Sequence, residues 1–509
     1  MLPFLLPVIA RGEPVSDKAS ELESLAEERS LDPEDWEELR QLGHQAFDDA
    51  IEYLKAVGDR PAWQPLPNAA KQIFEQATPR QGMQLGEVYD QIRDHILPYP
   101  TGNIHPRFWS WVGGTGTPTQ LIADLVASAM NSASLGFDEV ASSYVELQLL
   151  SWLKSLLDYP ADSSGLLVSG GSMANLVGLA VARTHAAPYD VRDQGVNITD
   201  YPRLMYYMSS EGHSSLRKAI ELLGLGSESL RIVPVKDDFT IDVDALRAAI
   251  RDDRDSGRLP ACIIATAGTV NTGAIDPLNE LADIAEEENL WMHADAAFGG
   301  FAKLSPQSAH LVNGLERADS LAFDLHKWLY VQYDCGCVLI RSGDTHRNTF
   351  SVIPSYLRKF DRGLASGPVN LSEYGVQLSR SFKALRAWTA LKTEGTDRYG
   401  QQIEQNIQQA NYLTRLVEDR DELQLLAPTA MNIVNFRYLD ESLSAAAQDD
   451  LNAEILMRLH ERGIATPSST VLNSRFSIRV AICNHRSKRS DFEALVDAVA
   501  AIGKEISSN

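Results

Sequence analysis

The sequence is short of cysteine. Its 509 residues include only 4 cysteines, Cys262, Cys335, Cys337 and Cys483. These are too few for a disulfide scaffold of this length, and they lack the paired Cys-x-x-Cys and histidine spacing of a zinc site. We therefore expect no metal site, and the cytoplasm is the expected location because chains with few cysteines are typical of reducing compartments.

Basic residues are also scarce relative to acidic ones. Lysine and arginine total 46, whereas aspartate and glutamate total 69, which gives a formal net charge of -23. Proteins that bind a phosphate backbone or an anionic membrane without sequence preference rely on clustered positive charge. The composition therefore disfavours nucleic acid and membrane surfaces as partners.

Long hydrophobic runs are missing too. No stretch of the sequence approaches the roughly 18 uncharged apolar residues that a transmembrane helix requires. Residues 1–10 are apolar, but they have no basic flank, contain two prolines and run into acidic sequence, unlike a secretory signal. We interpret them as a terminal arm that packs on a partner subunit.

The chain does have enough apolar sequence for a large core. Hydrophobic residues make up 44% of it, and at roughly 150 residues per domain its length predicts two or three structural units. Helical signals, such as Asp32-Pro33 ahead of an acidic first turn, dominate the N-terminal part. We expect a helical N-terminal segment at 1–98, a large domain at 99–385 and a small α/β C-terminal domain at 386–509.

Residues 99–385 alternate short apolar runs with longer amphipathic ones. This alternation predicts an α/β fold with a mostly parallel sheet, covered by helices on both faces. The expected strands are 204–208, 232–235, 261–265, 290–294, 320–323 and 337–340. From Arg341 to Leu371 the periodicity is lost among scattered Gly, Pro and Ser, which predicts a long loop.

A lysine follows one of these strands, in the run Phe323-Asp324-Leu325-His326-Lys327-Trp328. A lysine that forms a Schiff base must lose its proton near neutral pH, and burial beside the positive charge of a cofactor favours this loss. Lys327 is the candidate for such chemistry. The alternative is a strand-end lysine that points into water.

An aspartate lies near the end of another apolar run, Trp291-Met292-His293-Ala294-Asp295-Ala296-Ala297. Ligands of open α/β sheets bind at the carboxyl ends of strands, and strand alternation places His293, Asp295 and Ala297 on one face. A buried carboxylate needs a cationic partner, such as the protonated pyridine nitrogen of a cofactor. A structural aspartate that caps the next helix is the alternative.

A glycine-rich turn, Val168-Ser169-Gly170-Gly171-Ser172, precedes a helical pattern. Backbone N–H groups and a hydroxyl at such a turn can bind a phosphate at the positive end of the helix. The segment matches neither the GxGxxG fingerprint nor a P-loop, so it favours a single phosphate. A tight turn with an N-capping serine is the alternative.

Two further segments reach the same edge of the predicted sheet. Glu211-Gly212-His213-Ser214-Ser215 follows the strand at 204–208, and the flat ring of His213 can stack on a flat cofactor. His213 can equally be a helix-start residue. Thr266-Ala267-Gly268-Thr269 ends the strand at 261–265 and can supply a hydroxyl group.

In chain order these segments read Gly-Gly-Ser, His-Ser-Ser, Ala-Thr-x-Gly-Thr, His-x-Asp-Ala-Ala and His-Lys-Trp. The series resembles the pyridoxal-phosphate-dependent group II amino-acid decarboxylases, the aromatic-L-amino-acid and glutamate decarboxylase group. The likeness runs from about His105-Pro106 to Trp388 and is weaker beyond. It implies the type I, aspartate aminotransferase-like fold, pyridoxal 5'-phosphate as cofactor, and a homodimer with active sites at the subunit interface.

The resemblance also implies roles for individual residues. Lys327 would form the internal aldimine, Asp295 would pair with the pyridine nitrogen and His213 would stack on the ring, which makes these three the expected catalytic residues. The remaining cofactor contacts would be Ala297 on the other ring face, Thr266 near the ring hydroxyl, and Gly171, Ser172 and His326 at the phosphate.

The activity implied is decarboxylation of an L-amino acid, aromatic in first choice, to the amine and carbon dioxide through a quinonoid intermediate. Members of the group that form amines carry a loop tyrosine that protonates Cα. Leu371 stands near that place here, with Tyr356 and Tyr374 as neighbouring substitutes. An aldehyde synthase is therefore an alternative, as are a decarboxylase of an acidic amino acid and, remotely, a noncatalytic scaffold.

The substrate side chain has its own candidates. The segment His105-Pro106-Arg107-Phe108-Trp109-Ser110-Trp111 resembles the part of the aromatic enzymes that lines the substrate pocket. Phe108, Trp109 and Trp111 are expected to form an apolar slot, although aromatic residues in a strand are also typical of a core. An acidic substrate would require an arginine, and Arg107 or Arg479 is the candidate.

Overall fold

The structure is a computed structural model that describes residues 30–353 and 359–508. Two β-sheets organise it, a seven-stranded sheet and a five-stranded sheet. Helices pack against both sheets. The expected α/β class is confirmed.

The N-terminal part of the described chain is helical. Helix α1 (Trp36–Lys55) begins where the Asp35 carboxylate accepts hydrogen bonds from the N–H groups of Glu37 and Glu38. Two short helices follow, α2 (Asn68–Ile73) and α3 (Leu85–Gln91), the second of which continues into a π-helical turn at Ile92–Ile96. Neither α1 nor α3 contains a buried residue, so these helices leave much apolar surface exposed. The arm predicted at residues 1–10 lies outside the described residues.

After strand β1 (Phe108–Trp109), which joins the smaller sheet, the chain builds the seven-stranded sheet. Its spatial order is β2-β8-β7-β6-β5-β3-β4. Neighbouring strands run parallel except at β8, which is antiparallel to both β2 and β7. The strands are β2 (Ser164–Val168), β3 (Leu204–Ser209), β4 (Leu230–Val233), β5 (Leu259–Thr266), β6 (Trp291–Asp295), β7 (Ser320–Asp324) and β8 (Gly336–Ile340).

The inner strands are buried along their whole length, so both faces of this sheet are covered. The mostly parallel sheet expected from the sequence is confirmed. The strand expected at 290–294 is shifted by one residue, and β2 was not expected. The strand expected at 232–235 is shifted by two residues and ends at Val233, because Pro234 has no N–H group to donate to a neighbouring strand.

In the described part of the chain, nine α-helices lie between residues 120 and 394. One of them, α6, packs across β5, β6, β7 and β8. Their bounds are α4 (Gln120–Met130), α5 (Ala141–Leu156), α6 (Gly171–Ala186), α7 (Val191–Gln194), α8 (Ser214–Leu222), α9 (Val243–Asp255), α10 (Leu278–Glu288), α11 (Gly343–Phe350) and α12 (Ala384–Glu394).

Helix α11 corrects the expectation of an irregular loop from Arg341 to Leu371. The Ser342 hydroxyl accepts a hydrogen bond from the N–H group of Thr345 and caps the helix. Scattered polar residues hid this helix from the periodicity. The structure then describes irregular chain and a short 3₁₀ turn at Leu371–Tyr374.

The smaller sheet has the order β1-β11-β12-β10-β9. Its strands β9 (Leu423–Leu425), β10 (Ile433–Tyr438), β11 (Thr466–Leu472) and β12 (Arg475–Ala481) are antiparallel, whereas β1 pairs parallel with β11. The helices that accompany it are α13 (Thr396–Glu418), α14 (Ala445–Glu461) and α15 (Arg489–Ser507). A separate hydrophobic core lies under it. The domain boundaries at 98 and 385 stay a prediction.

No helix among residues 30–353 and 359–508 is long and apolar enough to cross a membrane. Over the same ranges, no group of three or more His, Cys, Asp or Glu side chains is arranged to hold a metal ion. The 4 cysteines are buried free thiols.

Candidate active site

A cavity of about 490 Å³ lies at the carboxyl ends of β5, β6 and β7. Parallel strands bring their carboxyl ends to one edge of a sheet, where ligands of α/β proteins bind. Every residue expected from the sequence to hold the cofactor lines this cavity: Gly171, Ser172, His213, Thr266, Asp295, Ala297, His326 and Lys327. The sheet therefore brings together side chains that lie far apart along the chain.

The glycine turn forms one wall of the cavity. Gly171 is the first residue of α6, and its N–H group donates to Asp324 Oδ1 over 2.6 Å. The backbone of β8 passes close to this turn, since a Cβ atom on Gly336 would lie 2.5 Å from Gly170 Cα. Glycine at both positions permits this approach. The turn thus places the positive end of α6 at the cavity.

Lys327 follows β7, and its ammonium group meets a carboxylate at the cavity wall. Its Nζ atom lies 3.2 Å from Asp324 Oδ2, and Asp324 is only 2% exposed. The alternative of a lysine that points into water is therefore wrong. Asp324 had no role assigned from the sequence, although it ends a buried strand as Asp295 does, and that position was the signal that could have found it.

Asp295 ends β6 and is 3% exposed. Its Oδ2 accepts a hydrogen bond from Asn175 Nδ2 over 2.9 Å, and its Oδ1 accepts one from the N–H group of Ala297 over 3.1 Å. Both oxygens of this buried carboxylate therefore have a hydrogen-bond donor. Asn175, on α6, is a second residue without an assigned role; it stands in the glycine-turn motif, but no local pattern reveals its partner.

His213 is both a helix-start residue and a residue of the cavity wall. It precedes α8, and its Nδ1 accepts a hydrogen bond from the N–H group of Ser215 over 3.2 Å, so it caps that helix. Its ring also lines the cavity. Burial lowers the pKa of His213, while the neighbouring Asp295 carboxylate acts in the opposite direction.

His326 is held rigidly next to Lys327. Its Nδ1 lies 2.9 Å from the Cys335 carbonyl oxygen and 3.2 Å from the Cys335 N–H group. The ring also contacts that of Tyr333, with 4.5 Å between the ring centroids. Burial lowers the pKa of His326, so the ring is predominantly neutral near pH 7.

Thr266 presents a hydroxyl group to the cavity. Its Oγ1 is buried and has no hydrogen-bond partner within the described part of the chain. Its own N–H group donates to Asp276 Oδ2 over 2.8 Å, and Asp276 Oδ1 accepts from the N–H group of Ile241. Because buried polar atoms are normally bonded, the unpaired hydroxyl marks a place for a ligand atom.

The expected aromatic slot is wrong for Trp109. Its ring stacks on Phe492, with 4.9 Å between centroids, and its Nε1 donates to Ser487 Oγ over 3.1 Å, so it belongs to the core of the smaller sheet. Phe108 is also buried outside the cavity, whereas Trp111 lines it. Strand β1 turns consecutive side chains to opposite sides.

Two polar substrate candidates are occupied elsewhere. His105 accepts at Nδ1 from the N–H group of Arg107, and its Nε2 lies 3.0 Å from the Arg60 carbonyl oxygen, beside a different cavity. Arg479 donates to the Ser110 and Val270 carbonyl oxygens, and burial lowers its pKa to about 10. Neither lines the cofactor cavity.

Tyr374 does not line the cavity either. The Tyr374 ring meets that of His346, with 5.0 Å between centroids, next to α11. Leu371 is 2% exposed, and its N–H group donates to the Leu135 carbonyl oxygen. Tyr356 lies outside the described residues.

Comparison with known proteins decides the family. The chain matches the pyridoxal-dependent decarboxylase conserved domain over residues 67–439. An aromatic-L-amino-acid decarboxylase of Bacillus atrophaeus is 32% identical over 474 residues, which cover 92% of this chain and 96% of that protein. The chain belongs to the pyridoxal-dependent decarboxylase family.

Two further members of this family are also similar to the chain. A phenylacetaldehyde synthase of Petunia hybrida is 26% identical, with 89% of this chain and 91% of that protein covered. The crystal structure of Oryza sativa TDC with PLP and tryptamine superposes with a TM-score of 0.85 at 27% identity, over 94% of this chain and 100% of that one. The type I fold is thereby confirmed.

Family membership makes this decarboxylase a pyridoxal-phosphate-dependent carboxy-lyase. The residues of its cavity fit that cofactor. They offer a primary amine on Lys327, a buried carboxylate on Asp295, the unpaired Thr266 hydroxyl, and a helix N-terminus with Gly171 and Ser172 for an anion. An aldehyde, a ring nitrogen, a ring hydroxyl and a phosphate each find a chemically suitable group.

Proposed function

We propose that this decarboxylase converts an aromatic L-amino acid to its amine and carbon dioxide. The supporting observation is the composition of the cavity: Trp111, Val112, Val270 and Phe298 line it together with Lys327. Apolar and aromatic walls favour an aromatic side chain. The aromatic-L-amino-acid decarboxylase of Bacillus atrophaeus supports the same substrate class.

An acidic substrate has less support. A second carboxylate on the substrate would call for an arginine near the reacting centre. Within residues 30–353 and 359–508, no arginine lines the cavity, and the candidate Arg479 donates to backbone carbonyl oxygens instead. We therefore place the acidic amino acids second.

The residues of the cavity divide the work. Pyridoxal phosphate supplies, when bound, an electron sink for the electrons that departing carbon dioxide leaves at Cα. In our proposal Lys327 would hold the cofactor through its amine, and the Asp295 carboxylate would pair with the pyridine nitrogen. His213 and Ala297 would cover the ring faces, Thr266 would meet the ring hydroxyl, and Gly171, Ser172 and His326 would hold the phosphate.

The last step requires a proton at Cα, and its donor decides between amine and aldehyde. Leu371 stands near the place of the loop tyrosine of amine-forming relatives, and its side chain is buried among other apolar groups. The aldehyde synthase therefore remains the second candidate, and the Petunia hybrida relative favours testing for it.

We further propose that the enzyme is a cytoplasmic homodimer. Helix α4 exposes Ile122, Leu125 and Val126, with 59%, 65% and 44% of their surface accessible. Together with the apolar side chains left exposed on the N-terminal helices, they form the kind of surface that a second copy of the chain covers. Free thiols at all 4 cysteines favour a reducing compartment.

The experiment that tests the function compares the wild type with Lys327→Ala. We expect the purified wild type with pyridoxal phosphate to show the visible absorption of a Schiff base and to release carbon dioxide and amine from an aromatic L-amino acid. The Lys327→Ala variant is expected to lose both the absorption and the turnover. Lys303→Ala, which removes a lysine outside the cavity, serves as the matched control and should retain both.

The substrate panel contains L-tryptophan, L-tyrosine, L-phenylalanine and L-glutamate, with carbon dioxide, amine, aldehyde and peroxide measured. Aldehyde with peroxide would identify the oxidative alternative, and turnover of glutamate alone would refute the aromatic preference. For the assembly, light scattering is expected to give the mass of a dimer. Leu125→Asp should shift it toward the monomer, whereas Leu222→Asp, at a position exposed on α8, should not.

A further inference from the structure

A continuous chain of hydrogen bonds leads from Asp295 and Asn175, which both line the cavity, into the buried interior. Trp291 Nε1 donates to Ser320 Oγ over 2.7 Å, and Ser320 Oγ lies 2.8 Å from His293 Nδ1. His293 Nε2 lies 2.9 Å from Asn175 Oδ1, and Asn175 Nδ2 donates to Asp295 Oδ2 over 2.9 Å. We call Trp291, Ser320, His293 and Asn175 the buried relay, since each is at most 4% exposed.

The donors and acceptors of these side chains allow only one direction of hydrogen bonding along the relay. An ionised carboxylate only accepts hydrogen bonds, so the NH₂ group of Asn175 must face Asp295 and its carbonyl oxygen must face His293. His293 Nε2 must therefore carry a proton and donate it. At the other end, an indole N–H group can only donate, so Ser320 Oγ accepts from Trp291.

The protonation state of His293 completes the assignment. Burial lowers the pKa of His293 to about 3, so the ring is neutral near pH 7. With its proton on Nε2, the Nδ1 atom is an acceptor, and the Ser320 hydroxyl has its one proton available for it. Each donor in the relay thus meets one acceptor, from Trp291 through to Asp295.

A branch of the same network reaches His213. The second N–H of the Asn175 amide donates to Ser215 Oγ over 3.2 Å, and Ser215 Oγ lies 2.7 Å from His213 Nδ1. The Ser215 N–H group also faces that nitrogen. His213 Nδ1 therefore accepts, and Nε2 carries the proton. One amide group orients both Asp295 and His213.

Packing leaves His293 no alternative position. A Cβ atom on Gly178 of α6 would lie 2.7 Å from His293 Cε1 and 2.8 Å from its Nδ1, so glycine at this position makes room for the ring. The helix that carries Asn175 is thus pressed against the strand that carries Asp295. Rigid surroundings of this kind hold a functional group in one orientation.

We propose that Asn175 and His293 are positioning residues that hold the Asp295 carboxylate oriented toward the pyridine nitrogen, and that the same relay sets the tautomer of His213. The inference rests on the proposed role of Asp295. Because Asn175 donates to that carboxylate, its loss should weaken the binding of a cofactor that has a ring nitrogen more than the binding of one that lacks it.

The test uses pyridoxal phosphate and its 1-deaza analogue, in which a C–H group replaces the ring nitrogen. The apparent dissociation constant of each is measured on the apoenzyme from the Schiff-base absorption. The wild type is expected to prefer pyridoxal phosphate by at least about tenfold, the worth of one charge-assisted hydrogen bond. In Asn175→Leu the preference should fall at least about fivefold.

A pair of variants at His293 provides the second measurement. His293→Gln keeps a side-chain N–H donor for Asn175 and should retain the wild-type preference within about twofold. His293→Leu removes the donor and should lose preference as Asn175→Leu does. Cys262→Ala is the matched control, because Cys262 is equally buried on the neighbouring strand, pairs in register with Trp291 and lies outside the relay.

The outcomes separate the two proposals. A wild type that binds both cofactors equally would refute the assignment of Asp295 and, with it, the inference that depends on it. A wild type that discriminates, with Asn175→Leu and His293→Leu discriminating equally well, would overturn the relay alone. Neutron diffraction from the apoenzyme supplies a readout without cofactor: the proton of His293 is expected on Nε2, and a proton on Nδ1 would overturn the relay directly.

Discussion

Replacing Arg380 with methionine is expected to destabilise the large sheet by about 3–5 kcal/mol, because it leaves a carboxylate buried without its cation. Arg380 Nη1 donates to Glu146 Oε1 over 2.5 Å and to the Leu167 carbonyl oxygen over 3.1 Å. The two side chains are 2% and 1% exposed. The pair therefore joins α5 to the end of β2, just before the glycine turn of the cavity.

The strength of the interaction between Glu146 and Arg380 depends on the other hydrogen-bond partners of each side chain. Glu146 keeps one further donor, the Ser134 hydroxyl at 2.7 Å, whereas Arg380 Nε and Nη2 have no partner within the described part of the chain. The attraction between the two charges therefore offsets only part of the free energy that it costs to remove them from water. Exchanging both residues, as in Glu146→Leu with Arg380→Met, should cost only about 1 kcal/mol, mainly for the Ser134 hydroxyl.

The assay is a double-mutant cycle read from urea denaturation of the apoenzyme, followed by tryptophan fluorescence. A single protein concentration is used throughout, because association shifts the apparent stability. The two single variants should each lose about 3–5 kcal/mol and the double variant only about 1 kcal/mol, so the coupling energy should be at least about 5 kcal/mol. The partly exposed pair Lys303 and Asp158 is the control, with an expected coupling below about 1 kcal/mol.

Two results would contradict this reasoning. A loss of less than about 1 kcal/mol in Arg380→Met would show that Glu146 does not depend on its cation. A double variant as unstable as the sum of the two singles would show that the residues do not interact.

Three further predictions concern the cavity itself. Gly336→Ala should lower the unfolding free energy by about 1–3 kcal/mol, since its Cβ atom would lie 2.5 Å from Gly170 Cα. Gly343→Ala is the control, because its Cβ atom would lie 3.7 Å from the nearest atom. Equal urea midpoints for the two variants would contradict the prediction. Burial raises the pKa of Asp276 from 3.8 to about 6, so protonation of this carboxyl favours folding. The stability of the wild type relative to Asp276→Asn should therefore fall by about 3 kcal/mol as the pH rises from about 4 through about 6. Parallel curves of urea midpoint against pH for the two proteins would count against this. Thr266→Val should leave the unfolding free energy of the apoenzyme within about 0.5 kcal/mol of the wild-type value, because the Thr266 hydroxyl lacks a partner in the described chain. The same variant should bind pyridoxal phosphate more weakly in a titration. A destabilised apoenzyme with unchanged cofactor binding would show a structural role instead.

Much of the sheet is readable from the sequence because its strands are buried on both faces. Such strands appear as continuous apolar runs, and the runs at 204–208, 261–265 and 320–323 all coincide with strands. The polar residues that end these runs then fall at one edge, because parallel strands share a direction. This is why the lysine, aspartate, threonine and glycine motifs meet in one cavity.

Helix α11 and strand β1 show where local patterns fail. The helix is short and polar, so its periodicity is weak, and its cap at Ser342 carries the signal instead. Strand β1 has only two residues and pairs with Thr466 and Pro467, far along the chain. A segment this short contains no information about such a distant partner, so Trp109 could not be assigned to the second core in advance.

Apolar runs reveal buried strands, and their alternation with amphipathic helices predicts the α/β class, the parallel sheet and the motifs at its carboxyl edge. The hydrogen bonds between polar side chains become visible only in the folded chain. Gly171 donates to Asp324, and Asn175 joins His293 to Asp295, because α6 packs across the sheet at a distance that Gly178 permits. Contacts of this kind depend on how distant segments approach one another, and no spacing along the chain encodes that distance.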